Sequence, residues 1–242
     1  MGGSKEACVK QAIVTGAARG IGRAITARLV DDGWQVAALD MDGAALRAWP
    51  AHPARQDIVC DLSQESEIRQ AVAATGFARL DLLVNNGGPA DPFSGRIDDM
   101  SMADWQHWIA PHLTGTFLMV RETAPALRVA RGAVVNIASS RAFQSEPDTY
   151  GYAAAKGGVV ALSHALAVGM GPDVRVNAVA PGWINSNDAS LEADDHAQHP
   201  AGRVGQVDDI VEAVLYLAGA GFVTGQVLQV DGGMGRKMIY KD

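Results

Sequence analysis

A tyrosine and a lysine four residues apart are the most informative pair in the chain, Tyr152 and Lys156 of a Tyr-Ala-Ala-Ala-Lys segment. On a helix, residues i and i+4 share one face, so the ammonium would lie beside the phenol. A nearby positive charge favours the ionised phenol and lowers a pKa that is ordinarily about 10. A phenol tuned in this way can exchange a proton with an alcohol or carbonyl oxygen.

A glycine-rich turn near the start of the chain indicates the partner for that chemistry. The segment Thr-Gly-Ala-Ala-Arg-Gly-Ile-Gly, residues 15–22, follows a short apolar run and precedes a helical pattern. Gly16 and Gly20 permit tight backbone geometry, and Gly22 lets the helix pack closely on the sheet. The start of that helix offers amides and a positive dipole end to a pyrophosphate. Together with the tyrosine and lysine, the turn predicts hydride transfer with a bound dinucleotide.

The carboxylate of Asp40 indicates which dinucleotide binds. Asp40 ends the second apolar run, 24 positions after Gly16, close to the spacing of about 20 expected for a ribose-binding acid. Such an acid accepts hydrogen bonds from both ribose hydroxyls, but it places like charges together when it faces a 2′-phosphate. NAD is therefore favoured over NADP. Arg19 in the glycine turn leaves the alternative open, because a guanidinium there could contact a 2′-phosphate.

The elements that must position these residues alternate along the chain. Short apolar runs predict strands, and longer amphipathic stretches between them predict helices over 20–32, 63–75, 101–130, 150–170 and 207–218. The predicted strands are Gln11–Thr15, 34–40, 57–60, 80–84, 132–139, 174–180 and 226–230. This alternation predicts one doubly wound α/β domain over residues 1–242, with a central, mostly parallel seven-stranded sheet and helices on both faces.

One polar, acidic segment interrupts the alternation at residues 185–200. A long irregular segment in a compact domain is often a lid or a binding loop, so we interpret it as a substrate lid; a plain surface loop is the alternative. His196 and His199 within it are expected to be exposed.

Composition excludes several classes of partner. The formal charge is −7, and the basic residues are scattered, which argues against a nucleic-acid surface. No apolar stretch is expected to reach the length of about 20 residues that a membrane span requires. The two cysteines lack metal-ligand spacing, so no metal site is predicted. The N-terminal residues lack an apolar secretion signal, and we expect a cytoplasmic protein.

These motifs, in this order, resemble the short-chain dehydrogenase/reductase family over residues 10–235. The matching segments are TGAARGIG (15–22), CDL (60–62), NNGG (85–88), NIASS (136–140), YAAAK (152–156), NAVAPG (177–182) and VDGG (230–233). The resemblance implies that Ser139 binds the substrate oxygen and Tyr152 is the acid/base. It also implies that Lys156 holds the nicotinamide ribose and lowers the tyrosine pKa.

The same resemblance implies a set of cofactor contacts. Asp61 would approach the adenine, Asn85 and Gly87 would line the adenosine, and residues after Pro181-Gly182 would contact the nicotinamide carboxamide. The implied cofactor-binding residues are Gly16, Arg19, Gly20, Ile21, Gly22, Asp40, Asp61, Leu62, Asn85, Gly87, Tyr152, Lys156, Pro181, Gly182, Ile184 and Ser186.

The chain departs from the family pattern at His112, where the family commonly has an asparagine that holds a water in a proton relay. We hypothesise that His112 takes over this relay and makes turnover more sensitive to pH, since histidine ordinarily titrates near pH 6.5. The alternative is a histidine that only packs the helix. Pro111 beside it is expected to bend or break that helix.

The resemblance implies an NAD(H)-dependent dehydrogenase or reductase for a secondary alcohol or ketone, forming a tetramer or dimer. The alternatives are a 3-oxoacyl-thioester reductase using NADPH and a non-catalytic dinucleotide-binding sensor. Asp40 and the acidic segment favour a small uncharged or cationic substrate. An anionic substrate would need a specific arginine, such as Arg141 or Arg203.

Overall fold

A parallel sheet forms the centre of the computed structural model, which describes residues 9–187 and 189–238; both termini and Asp188 of the lid segment lie outside the described residues. The sheet contains seven strands in the order β3-β2-β1-β4-β5-β6-β9. Their bounds are β1 (Gln11–Thr15), β2 (Gln35–Asp40), β3 (Arg55–Val59), β4 (Leu82–Asn85), β5 (Ala133–Ile137), β6 (Arg175–Pro181) and β9 (Val227–Val230). A separate parallel pair joins β7 (Ile184–Asn185) to β8 (Gly205–Gln206). The predicted doubly wound fold is confirmed.

Helices cover both faces of the sheet. Their bounds are α1 (Gly20–Asp31), α2 (Gly43–Ala48), α3 (Glu65–Thr75), α4 (Met102–Ile109), α5 (Gly115–Ala130), α6 (Tyr150–Met170), α7 (Ala193–Ala197) and α8 (Val207–Gly219). Successive side chains of a strand point to opposite faces. Ala12 and Val14 of β1 accordingly pack with α1 and α8, whereas Ile13 packs with α3, α5 and α6. Both faces are therefore buried, as near-continuous apolar strands require.

The strand order reverses between β1 and β4, which lie side by side at the centre of the sheet. From β1 the chain proceeds outward to β2 and β3, then returns to β4 on the other side. In open α/β sheets, ligands bind at the carboxyl ends of the strands beside such a reversal. The glycine turn follows β1 and the Asn-Asn segment follows β4, so the topology brings both to this edge.

The predicted helix over 101–130 is interrupted, as Pro111 led us to expect. α4 ends at Ile109, residues Ala110–Thr114 form a π-helical turn, and α5 continues from Gly115. Proline lacks an amide hydrogen, and its ring displaces the preceding turn, so the regular hydrogen-bond ladder cannot pass through it. The wider turn carries His112 inward, where it is buried.

Two short helices were absent from the sequence prediction. In α2, the Asp42 carboxylate caps the first turn by accepting a hydrogen bond from the Ala45 amide at 2.9 Å. α7 lies within the predicted lid, whose other described residues are irregular apart from the start of the segment in β7. Both helices are too short to show a periodic apolar pattern, so capping defines them better than hydropathy does.

α6 contradicts one expectation from the sequence. Over its 21 residues it is long and apolar enough to cross a membrane by length and composition. One such helix is weak support for a membrane span, because a core helix of a folded domain has the same properties. α6 packs against β6 and carries the buried Lys156, which accounts for its apolar composition within the fold.

Candidate active site

The glycine turn after β1 is too crowded to accept side chains. Gly16 has φ +65°, and a Cβ there would lie 2.8 Å from Asn86 Nδ2. A Cβ on Gly22 would lie 2.1 Å from the Gly16 carbonyl oxygen, so the first turn of α1 touches the loop that leads into it. At Gly20, with φ +52°, the nearest atom to a Cβ would be Cβ of Ser186 at 3.3 Å. The turn and the segment after β6 therefore face each other, as the cofactor prediction requires.

Two polar residues that the sequence analysis did not single out fix this turn. Thr15 Oγ1 accepts hydrogen bonds from the amides of Asn86 and Gly87, both at 3.0 Å. Asn86 Nδ2 donates in return to the carbonyls of Thr15 and Gly16, both at 3.2 Å. These bonds tie the ends of β1 and β4 together. The doubled asparagine after an apolar strand is the sequence signal that could have identified this role.

Asp40 lies at the end of β2 with a fixed carboxylate. Its Oδ2 accepts from the Ala18 amide at 3.0 Å and its Oδ1 from the Asp42 amide at 2.9 Å. The Arg19 guanidinium, which could have favoured a 2′-phosphate, pairs with the Asp42 carboxylate. The Asp42 pKa lies below its usual range, mainly because the Ala45 amide donates to it, with a further contribution from Arg19. The positive charge in the turn is therefore already balanced.

Other predicted cofactor residues gather at the same edge. Leu62 packs against Gly87, where a Cβ would lie 2.4 Å from Leu62 Cδ1, and Asp61 Oδ1 accepts from the Ser63 amide at 2.8 Å. The Asn85 amide group donates instead to Asn136 Oδ1 at 2.8 Å and is buried between β4 and β5. The Asn85 side chain therefore joins the two strands, and a contact of this residue with the cofactor stays a prediction.

The remaining predicted contacts follow β6. Pro181 ends the strand, and the Gly182 amide donates to the Val230 carbonyl at 2.9 Å. A Cβ on Gly182 would lie 2.7 Å from Asp231 Cβ, so this glycine permits a close crossing of two loops. Ile184 then pairs with Gly205, which holds the following Ser186 beside the glycine turn.

Ser139, Tyr152 and Lys156 converge at the carboxyl end of β5. Ser139 follows the strand and begins a short 3-10 turn over Ser140–Ala142, where its Oγ accepts from the Arg141 amide at 3.2 Å. The Lys156 Nζ donates to the Ile137 carbonyl at 2.8 Å. Burial lowers the pKa of Lys156 to about 7, because the charged ammonium loses its hydration.

The pKa of the Tyr152 phenol is shifted upward in the cofactor-free structure, whereas the sequence predicted a lowered pKa. Burial of the phenol raises its pKa above the ordinary value of 10.0. The hydrogen bond with Ser139 and the positive charge of Arg141 oppose this increase. That Lys156 lowers the phenol pKa stays a prediction; the burial that isolates the phenol also favours a neutral lysine in the cofactor-free structure.

Two aromatic rings hold the tyrosine ring edge-on. The centroid of Trp108 in α4 lies 6.2 Å from that of Tyr152 with an interplanar angle of 85°. The His112 centroid lies 5.4 Å from that of Tyr152 with an interplanar angle of 88°. Gly151 makes room for this packing, since a Cβ there would lie 2.0 Å from Trp108 Cδ1. Trp108, which the sequence analysis did not single out, therefore positions Tyr152.

His112 is buried, at 3% relative exposure. Its Nε2 lies 3.1 Å from the Pro89 carbonyl, and its Nδ1 has no hydrogen-bond partner among the described residues. Burial, and secondarily the charge of Lys156, hold the His112 pKa well below the ordinary 6.5. The ring is neutral at physiological pH. The expected titration near pH 6.5 therefore does not apply.

The described part of the lid segment packs against the loop after β9. His199 is 3% exposed, so the prediction that it is exposed is wrong. The centroid of the His199 ring lies 6.1 Å from that of Trp183, and a Cβ on Gly232 would lie 3.2 Å from His199 Cδ2. Arg203, one of the two candidate anion-binding arginines, pairs with Asp209 through two bonds of 2.7 and 2.6 Å. Arg141 is the other candidate.

Comparisons with known proteins agree with this geometry. A family model described as enoyl-(acyl carrier protein) reductase matches residues 16–235. An oxidoreductase of Thermotoga maritima, described as uncharacterized, is 37% identical over 96% of this chain and 98% of its own length. The chain belongs to the short-chain dehydrogenase/reductase family, and it is an NAD(P)-dependent oxidoreductase that acts on CH–OH groups.

Solved structures support the same assignment. An apo SCOR enzyme from Clostridium thermocellum matches with a TM-score of 0.90 at 36% identity, covering 96% of this chain and 95% of that one. A 3-ketoacyl-(acyl-carrier-protein) reductase from Brucella melitensis, complexed with NADH, matches with a TM-score of 0.86 at 28% identity, covering 93% of this chain and 98% of that one.

Proposed function

We propose that this oxidoreductase uses NAD(H) to interconvert a secondary alcohol and its ketone, with residues 1–242 as one catalytic domain. The observation that carries the proposal is the meeting of two groups of residues at one edge of the sheet. Ser139, Tyr152 and Lys156 provide proton transfer there, and the glycine turn provides a dinucleotide cradle. Neither group alone would specify the reaction.

The preference for NAD rests on charge at the end of β2. Two backbone amides hold the Asp40 carboxylate in place, and Asp42 neutralises Arg19. A 2′-phosphate at this position would meet the Asp40 charge without a free guanidinium to compensate, at a cost of about several kcal/mol. The dinucleotide, when bound, supplies the hydride donor or acceptor.

The proton steps belong to the protein. In alcohol oxidation, Tyr152 as phenolate takes the hydroxyl proton while Ser139 donates a hydrogen bond to the same oxygen. Lys156, with a pKa of about 7, can exchange a proton readily near neutral pH. A bound oxidised nicotinamide carries positive charge, which would favour the phenolate that burial disfavours in the free protein.

His112 supplies a second proton acceptor beside this pair. The Pro89 carbonyl can only accept, so His112 Nε2 carries the proton and Nδ1 is left as a buried acceptor. We infer that Nδ1 takes part in the proton relay in the neutral form. His112→Ala should lower kcat and increase its solvent isotope effect, and His112→Asn should restore part of both. An unchanged isotope effect in His112→Ala would contradict a relay role.

The substrate is bound between the 139–150 loop and the lid, residues 185–200. We propose a small uncharged or cationic hydroxy compound, because acidic side chains such as Glu192 and Asp194 are exposed on the lid. Reduction of a 3-oxoacyl thioester remains the alternative within the family. A panel containing cyclic alcohols, polyols, hydroxy acids and a 3-oxoacyl thioester separates these substrates directly.

We also propose a homo-oligomer, a tetramer or a dimer, in the cytoplasm. Val168 of α6 is 84% exposed and Phe117 of α5 is 44% exposed, so both helices present apolar side chains outward. Covering such side chains favours association. Sedimentation equilibrium of the wild-type protein and of Val168→Glu tests this, since the charge should shift the distribution towards smaller species.

Initial rates with NAD and NADP across the substrate panel test the proposed function. We expect turnover with NAD for at least one secondary alcohol and its loss in Tyr152→Phe. Equal loss in the matched variant Tyr150→Phe would contradict the assignment of Tyr152, since Tyr150 is exposed and its hydroxyl donates to the Asp148 carboxylate at 3.4 Å. Absence of turnover on every substrate, with NADH still bound, would favour the sensor alternative.

A further inference from the structure

Gly88, in the loop after β4, lies directly against the ring of His112. A Cβ at this position would lie 2.2 Å from His112 Cε1 and 2.3 Å from His112 Nδ1. Real Cβ contacts are essentially never shorter than 3.0 Å, so only glycine fits beside the ring as it stands. The bare Cα of Gly88 is therefore a condition for the observed place of His112.

Two further contacts hold the His112 ring at this place. Pro89, the next residue after Gly88, accepts a hydrogen bond from His112 Nε2 at 3.1 Å through its carbonyl. The ring of Tyr152 meets the imidazole edge-on, with the two centroids 5.4 Å apart. Moving the ring away from a Cβ at position 88 would therefore disturb the hydrogen bond, the contact with the phenol ring, or both.

The backbone that carries His112 has little room to retreat from such a Cβ. The next residue of the π-helical turn, Leu113, packs on α6, where a Cβ on Gly158 would lie 2.7 Å from Leu113 Cδ2. At the start of α5, a Cβ on Gly115 would lie 2.7 Å from the Leu62 carbonyl oxygen. Close-packed interiors yield little to an added methyl group. The imidazole itself would have to move.

We propose that Gly88 is a positioning residue that admits the His112 imidazole to its place beside Tyr152. The inference rests on the proposed function, because Gly88 acts through the relay role of His112. A methyl group at position 88 would also cover Nδ1, the ring nitrogen left as an acceptor when Nε2 donates to the Pro89 carbonyl. Gly88 thus determines both the position of the ring and the access of a proton to its acceptor atom.

A double-mutant cycle on kcat tests the proposal, with Gly88→Ala, His112→Ala and the double variant measured on one secondary alcohol. A misplacement of about 1 Å can lower an enzymatic rate about 100-fold. We expect Gly88→Ala to lower kcat about 10- to 100-fold and to increase the solvent isotope effect, as His112→Ala does. Because His112→Ala removes the ring, adding Gly88→Ala to it should lower kcat by less than about threefold.

The cycle separates displacement of the ring from strain in the backbone. Gly88 has φ +134°, which disfavours any residue with a Cβ, and this strain is the same with or without the His112 ring. A loss caused by strain would be additive in the double variant, whereas a loss caused by contact with the ring would not. Gly95→Ala is the matched control, since Gly95 has φ +76° but no atom within 4 Å of a Cβ. It should leave kcat and the isotope effect unchanged.

Stability and cofactor affinity provide readouts that do not require Gly88→Ala to be active. In urea unfolding, Gly88→Ala should destabilise the wild-type protein more than it destabilises His112→Ala, because the contact with the ring is absent from the second background. NADH titrations should give dissociation constants within about threefold of wild type in all variants, since the added Cβ meets His112.

Two results would overturn the proposal while leaving the proposed function intact. The first is a kcat that Gly88→Ala leaves unchanged, or lowers by the same factor in the wild-type and His112→Ala backgrounds. The second is a loss of NADH binding in Gly88→Ala that matches the loss of turnover, which would assign Gly88 to the cofactor cradle. No effect of His112→Ala would contradict the relay role and this proposal with it. Absence of turnover in the wild-type protein would instead contradict the proposed function itself.

Discussion

The cofactor edge and the reaction edge of this enzyme are built by different means. At the cofactor edge, backbone geometry dominates: Gly16 and Gly20 have positive φ, and Thr15 and Asn86 bind backbone groups. At the reaction edge, buried side chains dominate, and burial shifts the pKa of Tyr152 upward and that of Lys156 downward. One edge is defined by shape, the other by desolvation and charge.

The difference explains which changes each edge can tolerate. A backbone cradle fails when a side chain occupies its space, whatever the chemistry of that side chain. A buried proton-transfer site fails when a charge or hydrogen bond is removed, even where the replacement fits. Substitutions at the two edges should therefore separate cofactor binding from turnover.

The largest loss of turnover is expected at Lys156. Lys156→Met keeps much of the apolar length of the side chain but removes the donor to the Ile137 carbonyl and the exchangeable proton. Loss of a positioned acid/base group typically lowers the rate about 10²- to 10⁴-fold. We expect that loss in kcat/KM, measured by steady-state rates, with the fold retained by circular dichroism. A rate within about threefold of wild type would show that Lys156 is not needed for proton transfer.

At the cofactor edge, Asp40→Asn should change the choice of cofactor without abolishing turnover. Removing the carboxylate relieves its repulsion of a 2′-phosphate, and we expect the NADP-to-NAD ratio of kcat/KM to rise about 10- to 100-fold. Asp42→Asn added to it should raise the ratio further, since Arg19 would lose its partner. Asp32→Asn, an exposed acid at the end of α1, is the control and should leave the ratio unchanged.

Crowding at the glycine turn should affect stability as well as binding. Gly22→Ala places a Cβ against the Gly16 carbonyl at 2.1 Å, and overpacking of this kind typically costs about 1–3 kcal/mol. We expect a lower free energy of unfolding in urea and weaker NADH binding. Gly219→Ala meets no atom within 4 Å and should be neutral or stabilising. Equal destabilisation by the two substitutions would contradict the close contact at Gly22.

The pH dependence of stability should show the desolvation of Lys156. Its pKa is about 7 in the folded protein, against the ordinary value of 10.5 that applies to the unfolded chain. Between these pH values the unfolded chain therefore binds one more proton than the folded protein. Stability relative to Lys156→Met should therefore rise by about 1.4 kcal/mol for each pH unit from pH 7 towards pH 9. Below pH 7 the difference should be constant. A flat difference across the whole range would mean that the lysine stays charged when buried.

The sequence predicted the cofactor edge more completely than the reaction edge, for the same physical reason. A glycine where φ must be positive, and a carboxylate directly after a strand, depend only on neighbouring residues. Gly16, Gly20 and Asp40 could therefore be identified from residue type and spacing. Ser139, Tyr152 and Lys156 could be identified as a group, but their pKa directions depend on burial by segments far apart in the chain. Pro111 predicted the break in the helix, but the packing of Trp108 and His112 against Tyr152 depends on contacts between distant segments of the chain.

Three further residues show the same difference between local contacts, which the sequence can predict, and contacts between distant segments, which it cannot. Asn86 could have been found, because its turn follows a clear strand and binds local backbone groups. His199 could not, since its burial depends on the loop after β9 packing against the lid. The bond of Asn85 to Asn136 could not be predicted either, because Asn136 is contributed by a strand 51 positions away.

The independence of the two edges is most directly tested by titrating NADH into the double variant Ser139→Ala/Tyr152→Phe, with nicotinamide fluorescence as the readout. We predict a dissociation constant within about threefold of wild type together with no detectable turnover on the best substrate. A loss of NADH binding that parallels the loss of turnover would contradict the account, because it would show that the reaction edge also builds the cofactor site.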